Sequence, residues 1–490
     1  MNKEKIININ SKINSNYTYC STTSLDNLLV QRYKTFSYDD CYKILFVPST
    51  LAIFLVNKEI VSVLEKLGNN GTYENFDTNL ILELINYGLI VKSDKPLKST
   101  QVEKAIDKNS KKLFLHVAHN CNLGCPYCYA KGGNYGRNKQ MMSLKTARDS
   151  IDYIMKKEPN LNEISIDFFG GEPLLNYEVI EQFVEYAEKQ YCGIKFKYGT
   201  VTNGTVMNSK IKNMLKKYKF HVMITIDGPK EYHDLQRVHI NGKGSFDELL
   251  KNLPDFKESA NYLCARIVYG KKNSNLYKAF KFIYEKLGIH DISYRPVMTE
   301  LEEYKLDQES ENFAIESLKT CFDYFLERKL ENKKIESKFF SEQILNLIDQ
   351  KSKKSFCDFG NFISITPEGN IYPCTHFIYN DNFEVGNIYG TTEKTKVLDM
   401  CRKASLADYE PCKSCWVLKL CAGGCKGSTA FYNKDNLFTS DEYCKTRMAI
   451  AEKAIRTIVQ NYKNDGLDNL KKVLLKDKDK TVEMSPNRWR

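Results

Sequence analysis

From residue 113 onward, strand-like apolar runs alternate with amphipathic helical stretches, and this alternation most limits the folds open to the chain. The strand-like runs span residues 113–118, 164–169, 196–202, 220–226, 263–269 and 292–297. Helical stretches such as 143–157, with Ser143 as a suitable N-cap, and 177–190 lie between them. This order indicates parallel βαβ units with right-handed crossovers. Six such units predict an α/β fold whose functional groups lie at the carboxyl ends of the strands.

A loop with three cysteines follows the first of these strands directly. Cys121, Cys125 and Cys128 stand in the run HNCNLGCPYCY, with the spacing C-x3-C-x2-C. A [4Fe–4S] cluster is normally held by four thiolates, so three in one loop imply either a distant fourth ligand or an iron left open for a small molecule. A zinc loop and a chance cluster are the alternatives, but structural zinc usually takes four protein ligands.

With an aromatic residue before its last cysteine, this loop resembles the cluster-binding loop of the radical S-adenosylmethionine (SAM) enzymes. The resemblance implies an incomplete (β/α)6 barrel over residues 113–300. It also implies that Cys121, Cys125 and Cys128 are catalytic ligands of a cluster whose open iron is chelated by the amine and carboxylate of SAM. In these enzymes SAM is cleaved to a 5′-deoxyadenosyl radical, which abstracts hydrogen from an unactivated carbon.

Glycine-rich and polar segments at the next strand ends resemble the SAM-binding segments of this family. Glycine permits the close approach of backbone to a ligand. The resemblance assigns SAM binding to Tyr127, Gly170, Gly171, Glu172, Pro173, Thr202, Asn203, Thr225, Asp227 and Arg237. Glu172 would accept from the SAM ammonium or hold the loop that does, and Tyr127 would pack near the adenine or shield the cluster. Arg237 would bind the SAM carboxylate through its fork of donors or form a surface ion pair.

A second cysteine-rich region covers residues 351–445 and resembles the SPASM domain of peptide-modifying radical SAM enzymes. That domain holds two auxiliary [4Fe–4S] clusters. The resemblance assigns Cys412, Cys415, Cys421 and Cys444 to one cluster and Cys357, Cys374 and Cys425 to the other. Zinc ribbons share the C-x2-C element, but a zinc site closed by four ligands does not explain seven thiolates.

Two positions differ from the sulfatase-maturing branch of this family. Ile363 stands where that branch has an extra cysteine, and Thr375 and His376 follow Cys374 where it has an aspartate. The first difference implies an auxiliary iron open to a substrate thiolate. We therefore expect thioether formation in a cysteine-rich precursor peptide of the sactipeptide or ranthipeptide type, with flavodoxin or ferredoxin as electron donor. The alternatives are a peptide oxidase of the sulfatase-maturase or carbon–carbon crosslinking type and a non-catalytic metal-ribbon peptide-binding protein.

The flanking segments complete the expected organisation. Residues 1–34 are polar and predicted to be weakly ordered. Residues 35–95 predict a hairpin followed by helices, a winged-helix-like unit that resembles leader-peptide recognition elements, with a structural cap as the alternative. We assign residues 96–112 to a linker, 301–350 to a helical bridge and 446–490 to a C-terminal helix with a mobile tail.

Composition bears on the compartment and the partners. The N-terminus lacks a signal-peptide core, and no run approaches the length of a membrane span, so we expect a cytoplasmic protein. Six of the sixteen cysteines lie outside the motifs and are predicted to be small buried residues, namely Cys20, Cys41, Cys192, Cys264, Cys321 and Cys401. Because the charges behind the net +11 are interleaved, they predict an ordinary solubilising surface. An acidic leader peptide is then a better partner than nucleic acid.

Overall fold

The structure is a computed structural model that describes residues 6–10, 28–69, 73, 76–92, 110–353, 362–390, 410–433, 441–464 and 466–476. Three of the cysteines discussed above, Cys20, Cys357 and Cys401, lie outside these residues, as do most of the predicted linker and the tail beyond residue 476. The interpretations of those segments remain predictions.

The N-terminal unit is an antiparallel sheet followed by two helices. Its strands are β1 (Ile6–Asn8), β3 (Lys34–Ser37), β4 (Tyr42–Val47) and β5 (Ala52–Asn57), in the order β1–β5–β4–β3, while β2 (Leu28–Val30) pairs with β6 (Ile90–Lys92). The helices are α1 (Lys58–Gly68) and α2 (Thr78–Asn86). The predicted hairpin is therefore present, and Asn57 caps α1 by accepting from the backbone N–H of Ile60 at 3.0 Å.

Structure also occurs within residues 1–34, where only weak order was predicted. Strands β1 and β2 both lie in that segment, so the prediction is wrong there. Three apolar side chains of this segment are buried, namely Ile6, Ile9 and Leu28. Their burial stabilises the two strands, although most other residues of the segment are polar.

The six predicted barrel strands form one continuous parallel array. They are β7 (Ser110–His119), β9 (Glu163–Gly170), β10 (Lys195–Thr202), β11 (His221–Thr225), β12 (Tyr262–Tyr269) and β13 (Ile292–Pro296), in that spatial order. A short strand, β8 (Gln140–Met141), pairs with the end of β7. The array confirms the parallel βαβ architecture, and its strand ends agree with the predicted runs to within three residues.

Helices follow the barrel strands and cover the outer face of the sheet. They are α3 (Leu144–Lys157), α4 (Tyr177–Gln190), α5 (Ser209–Lys217), α6 (Lys230–His233), α7 (Phe246–Ser259) and α8 (Leu276–Glu285). The side chain of Ser143 caps α3 as expected, accepting from the backbone N–H of Thr146 at 3.0 Å. Buried residues of these helices join the apolar side chains of the strands in the main core.

The cysteine-rich region extends the barrel sheet. After α9 (Gln308–Leu330) and α10 (Lys338–Ile348), strand β14 (Phe362–Ile365) pairs in parallel with β7, and β15 (Asn370–Tyr372) and β16 (Gly386–Asn387) follow it in antiparallel pairing. The later helices are α11 (Glu410–Lys413), α12 (Leu418–Cys421), α13 (Lys426–Asn433), α14 (Asp441–Asn464) and α15 (Leu467–Leu475). The sequence analysis did not predict the β7–β14 pairing, which makes barrel and cysteine-rich region share one sheet.

The N-terminal sheet buries side chains on both faces. Leu45 and Phe54 pack with α1 and α2 in a separate small core, whereas Ile44 and Phe46 on the opposite face belong to the main core. Trp416 lies edge-on to Phe46, with ring centroids 5.9 Å apart. The unit is therefore packed against the cysteine-rich region and is not merely joined to the barrel through a linker.

Two composition-based expectations are tested by the described residues. Cys264 and Cys321 are buried as predicted, but Cys41 and Cys192 are exposed, so the prediction is wrong for those two. Cys41 precedes β4 and Cys192 follows α4, both in turns at the surface. No helix in the described part of the chain is long and apolar enough to cross a membrane.

Replacing Phe46 with alanine is expected to loosen the N-terminal unit. Phe46 is fully buried, so the substitution leaves a cavity and should lower the free energy of unfolding by about 3–5 kcal/mol. Urea denaturation followed by tryptophan fluorescence measures the change. Leu29→Ala is the control, because Leu29 is 55% exposed and its loss should change stability by less than about 0.5 kcal/mol. Equal effects of the two substitutions would contradict the packing described.

Candidate active site

The three cysteines of the first motif line one cavity at the carboxyl ends of the barrel strands. Cys121, Cys125 and Cys128 lie in the loop after β7, and the cavity has a volume of about 180 Å³. A turn closes the loop, because the backbone N–H of Cys128 donates to the carbonyl of Cys125 at 3.1 Å. The loop after the first barrel strand thus brings all three cysteines to one cavity.

A hairpin from a distant part of the chain holds the cysteine loop. The backbone N–H of Gly124 donates to the carbonyl of Val238 at 2.7 Å, and Leu123 forms an antiparallel bridge with His239. A side chain at Gly124 would begin 3.3 Å from the Cα atom of Ile240. The loop is therefore positioned through its backbone, which leaves the thiols directed to the cavity.

Gly170 and Gly171 allow the end of β9 to lie directly against the cysteine loop. A Cβ atom at Gly170 would lie 2.1 Å from the carbonyl oxygen of Ala118, and one at Gly171 would lie 2.3 Å from that of Asn120. Gly170 also has a φ of +139°, a conformation that favours glycine. Both glycines line the cavity, so they permit close approach to the cysteine loop as well as to a ligand.

Glu172 lies behind the cavity wall and ties two strand ends together. Its carboxylate accepts from the backbone N–H of Asn203 at 2.8 Å, from the Thr202 hydroxyl at 2.9 Å and from the backbone N–H of Leu174 at 3.0 Å. Burial raises the pKa of Glu172 to about 7, against the opposing effect of these hydrogen bonds. Its contacts are those of a residue that holds the loop, and Pro173 beside it starts a buried 3₁₀ turn.

Thr202, Asn203 and Thr225 line the cavity at the ends of β10 and β11. The side-chain amide of Asn203 lies 3.8 Å from the sulfur of Cys121 and donates to the side chain of Asn122 at 3.0 Å. The Thr225 hydroxyl lies 3.4 Å from the carbonyl of Thr202. These residues present polar groups beside the first thiol, at the strand ends where the sequence analysis placed them.

A fully buried carboxylate, Asp227, holds the opposite wall of the cavity. It accepts from Arg237 Nε at 2.7 Å, from the Tyr127 hydroxyl at 3.2 Å and from the backbone N–H of Val268 at 2.9 Å. Arg237 and Tyr127 line the cavity, with the guanidinium 5.6 Å from the centre of the tyrosine ring. Arg237 therefore forms a buried ion pair, and the alternative of a surface ion pair is wrong because only 8% of the residue is exposed.

The sequence analysis missed several residues of the cavity wall, among them Tyr129, Arg266, Arg295, Met298 and His376. Arg266 and Arg295 lie on β12 and β13. An arginine within a mostly apolar strand is a sequence pattern that could have predicted a role in the cavity. His376 comes from the cysteine-rich region, and no local pattern connects it to the barrel. Its ring centre lies 5.3 Å from that of Tyr129, the residue after Cys128.

The described auxiliary cysteines fall into two neighbourhoods. Cys412 and Cys421 both act electrostatically on Cys415, while His376 is hydrogen-bonded to Cys374 and Cys425. Although burial opposes it, the hydrogen bond from His376 and the charge of Arg295 hold the pKa of Cys425 well below its usual range. Cys444 begins the described side chains of α14, and Cys357 lies outside the described residues. The ligand set of each auxiliary cluster thus remains a prediction.

Comparison with known proteins identifies the barrel. The radical SAM superfamily model matches residues 115–281, from β7 to α8. Residues 115–281 form a radical SAM domain. Such domains use a [4Fe–4S] cluster and SAM, and the matched residues include the cysteine loop and the strand ends described above.

Two relatives and one solved structure show how far the likeness extends. The uncharacterized protein MJ0907 of Methanocaldococcus jannaschii is 36% identical over 38% of this chain, which spans 62% of that relative. The cysteine-type anaerobic sulfatase-maturating enzyme of Clostridium perfringens is 27% identical over 71% of this chain and 96% of the relative. Native anSMEcpe with bound AdoMet and Cp18Cys peptide has a TM-score of 0.62 at 23% identity, covering 72% of this chain and 99% of that one. The fold of this chain is similar to that of this solved structure.

The radical SAM cavity fits the cofactors that this family uses. It is lined by three cysteines of one loop, by Gly170 and Gly171, and by the hydrogen-bond donors of Arg237 and Asn203. Within the described residues no three Cys, His, Asp or Glu side chains are gathered around a single metal ion. A cluster needs no such convergence, because each thiolate binds its own iron. Burial raises the pKa of Cys121 to about 12 and that of Cys125 to about 11, so these thiols would have to release protons in order to bind a cluster.

Gly171→Ala is expected to displace the cysteine loop. The added Cβ atom would lie 2.3 Å from the carbonyl oxygen of Asn120, which is backbone and cannot rotate away. After anaerobic reconstitution, the iron content and the cluster absorbance attributable to this loop should fall several-fold. Gly193→Ala is the matched control, because nothing lies within 4 Å of its added carbon. Full iron content in Gly171→Ala would contradict the close approach.

Asp227→Asn is expected to destabilise the domain and weaken SAM binding together. Arg237 would lose its buried counter-charge, which should cost about 3–5 kcal/mol of stability. Urea denaturation and equilibrium dialysis of SAM measure the two effects. Asp247→Asn breaks an exposed ion pair with Lys230 at 2.6 Å and should cost less than about 1 kcal/mol. Equal losses in both variants would show that Asp227 does not hold the wall.

Proposed function

We propose that this protein is a radical SAM maturase that installs cysteine thioether crosslinks in a ribosomally made, cysteine-rich precursor peptide. The observation that carries the proposal is the place of His376. Its side chain lines the cavity of the radical SAM domain and is hydrogen-bonded to Cys374 and Cys425 of the cysteine-rich region. The auxiliary thiols therefore lie one side chain away from the cavity of the first cysteine loop.

The chain supplies a wall on which SAM and a cluster can be oriented. When bound, these cofactors supply an electron and a 5′-deoxyadenosyl radical that removes hydrogen from an unactivated carbon. Cys121, Cys125 and Cys128 would hold the cluster. Arg237, kept in place by Asp227, would pair with the SAM carboxylate through its parallel donors.

The strand ends define where the rest of SAM would lie. Thr202, Asn203 and Thr225 offer hydroxyl and amide groups to its polar parts. The ring of Tyr127 and the side chain of Val268 line the same cavity, and an adenine ring would pack against them. Glu172 acts behind this wall by fixing the backbone of Asn203.

A substrate thiol has a suitable place beside the second cysteine group. Ile363 lies in β14, paired with Leu113, so no additional thiol projects from that position to complete the ligand set. His376 and Arg295 surround Cys425 with donors and positive charge, which favour a thiolate. A cysteine of the peptide, held there in its thiolate form, would lie next to the cavity in which a carbon of the same peptide loses hydrogen.

Two partners follow from this proposal. The winged-helix-like unit would bind the leader of the precursor, because a sheet edge can accept an extended peptide by β-augmentation. A flavodoxin or ferredoxin would supply the electron for SAM cleavage. Such donors and precursors are cytoplasmic, so we place the protein there.

Peptide oxidation without a thioether is the second candidate. The sequence likeness to a cysteine-type sulfatase-maturating enzyme favours it. The residues after Cys374 oppose it, since Thr375 and His376 stand where an aspartate base would be expected. Mass spectrometry after thiol alkylation separates the candidates, because a thioether removes two hydrogens and one alkylatable thiol per modification.

Cys128→Ala is expected to abolish SAM cleavage, whereas Cys374→Ala should retain some cleavage and lose crosslinking. The first variant removes a ligand from the loop in the SAM cavity, and the second removes a thiol beside His376. Anaerobic co-expression with the precursor peptide, followed by intact mass and deoxyadenosine measurements, tests both. Cys192→Ala is the control, because Cys192 is exposed and outside the motifs. Retained crosslinking in Cys374→Ala would overturn the role of the auxiliary group.

A further inference from the structure

The N-terminal sheet carries an extra strand from the beginning of the described chain. Strand β1 pairs antiparallel with β5, with Ile6 opposite Val56, Ile7 opposite Leu55 and Asn8 opposite Phe54. The backbone N–H of Ile9 extends the pairing by donating to the carbonyl of Ile53 at 2.9 Å. One edge of this sheet is thus covered by a short segment of the chain itself.

The opposite edge of the sheet is covered by the C-terminal region. Arg456 of helix α14 donates from Nη1 to the carbonyl of Ser37 at 2.7 Å, and its guanidinium lies 5.7 Å from the centre of the Phe36 ring. Trp416 packs edge-on against the same ring at 5.5 Å. A peptide that paired with the end of β3 would have to displace the hydrogen bond of Arg456.

The attachment of β1 is small and depends on one polar side chain. Asn10 accepts from the backbone N–H of Ile53 at 2.9 Å and donates to the carbonyls of Leu51 and Leu347 at 2.9 and 2.7 Å. Ile6 and Ile9 are the buried apolar anchors, 4% and 3% exposed. Three residue pairs join β1 to β5, whereas six join β4 to β5. Strand β1 is therefore held to β5 by a shorter pairing than the one that holds β4 on the other side of β5.

We propose that residues 6–10 are a built-in occupant of the peptide-binding edge of β5, and that an extended substrate leader replaces them. The inference rests on the proposed function, since it names how that function recognises its peptide. The occupant shows what the edge selects: apolar side chains at the positions of Ile6 and Ile9, and a side-chain amide at the position of Asn10. A leader that fits carries a segment of this pattern, similar to Ile-Ile-Asn-Ile-Asn.

If residues 6–10 occupy the edge of β5, a leader must compete with them for it. An occupant on the same chain acts at an effective concentration of roughly millimolar, so a free peptide binds only to the fraction of molecules in which the edge is open. A leader must therefore exceed the occupant in affinity, or arrive on a precursor that makes further contacts. Peptides that match the edge poorly are excluded.

The test uses the full-length, cluster-loaded protein and a fluorescein-labelled peptide of sequence MNKEKIININ. Fluorescence anisotropy measures its affinity for the wild type, for Asn10→Ala and for the control Asn8→Ala. Asn10→Ala loses the side-chain hydrogen bonds that hold the occupant and should bind the probe at least about tenfold more tightly, the effect expected for two or more net hydrogen bonds. Asn8→Ala should bind like the wild type, because the side-chain oxygen of Asn8 has no hydrogen-bond partner that the substitution could remove. A probe with alanine at its tenth residue should bind Asn10→Ala more weakly.

Further variants and a parallel assay make each outcome decisive. If Asn10→Ala is poorly folded by circular dichroism, Ile6→Lys in the full chain provides the same opening at the other anchor. The inference is overturned if Asn10→Ala and Ile6→Lys bind the probe with the same affinity as Asn8→Ala. It is also overturned if only a further variant, Arg456→Ala, gains affinity for the probe, because β3 would then be the binding edge. Deoxyadenosine formation is measured in the same preparations. Its absence in the wild type refutes the proposed function, whatever the binding result.

Discussion

The buried carboxylate of Asp227 is the interaction on which the cavity of the radical SAM domain depends. It lies just beyond β11 and binds groups from three other segments: Tyr127 of the cysteine loop, Arg237 before the hairpin and the backbone of Val268 on β12. A charge without solvent is costly unless it is paired and fully hydrogen-bonded. All these partners donate hydrogen bonds to one carboxylate. The buried charge of Asp227 is therefore fully hydrogen-bonded only when the loop, the hairpin and the strand are all in place.

The second constraint is the pairing of β14 with β7. These strands are separated by most of the barrel in sequence, yet they lie side by side in parallel. The pairing holds the strands of the cysteine-rich region beside β7, and the chain that follows β15 then contacts the loop that follows β7. The contact between His376 and Tyr129 is the result. Two groups of cysteines that lie far apart in the chain are thereby connected through one side chain, that of His376.

Much of the barrel could be predicted from the sequence, because each strand and helix carries its own periodic pattern. The N-cap of Ser143 and the cysteine spacing are likewise local signals. Asp227 was named as a binding residue, but its position behind the wall depends on partners from three segments. Arg295 and His376 were missed for the same reason, and β1 was missed because two buried isoleucines in a polar segment give no period. Local motifs could therefore be predicted from the sequence, whereas contacts between distant segments could not.

The packing of the N-terminal unit connects the proposed leader edge to the cysteine-rich region. Trp416, which contacts Phe36 and Phe46, directly follows Cys415 in the chain. Arg32 acts electrostatically on that same cysteine. A sheet buried on both faces cannot rotate freely, so a peptide held at its edge would have a fixed position relative to the cysteine-rich region. The proposed leader edge and the proposed thiol site are therefore parts of one rigid arrangement, in which the span between leader and modified cysteines is set by the fold.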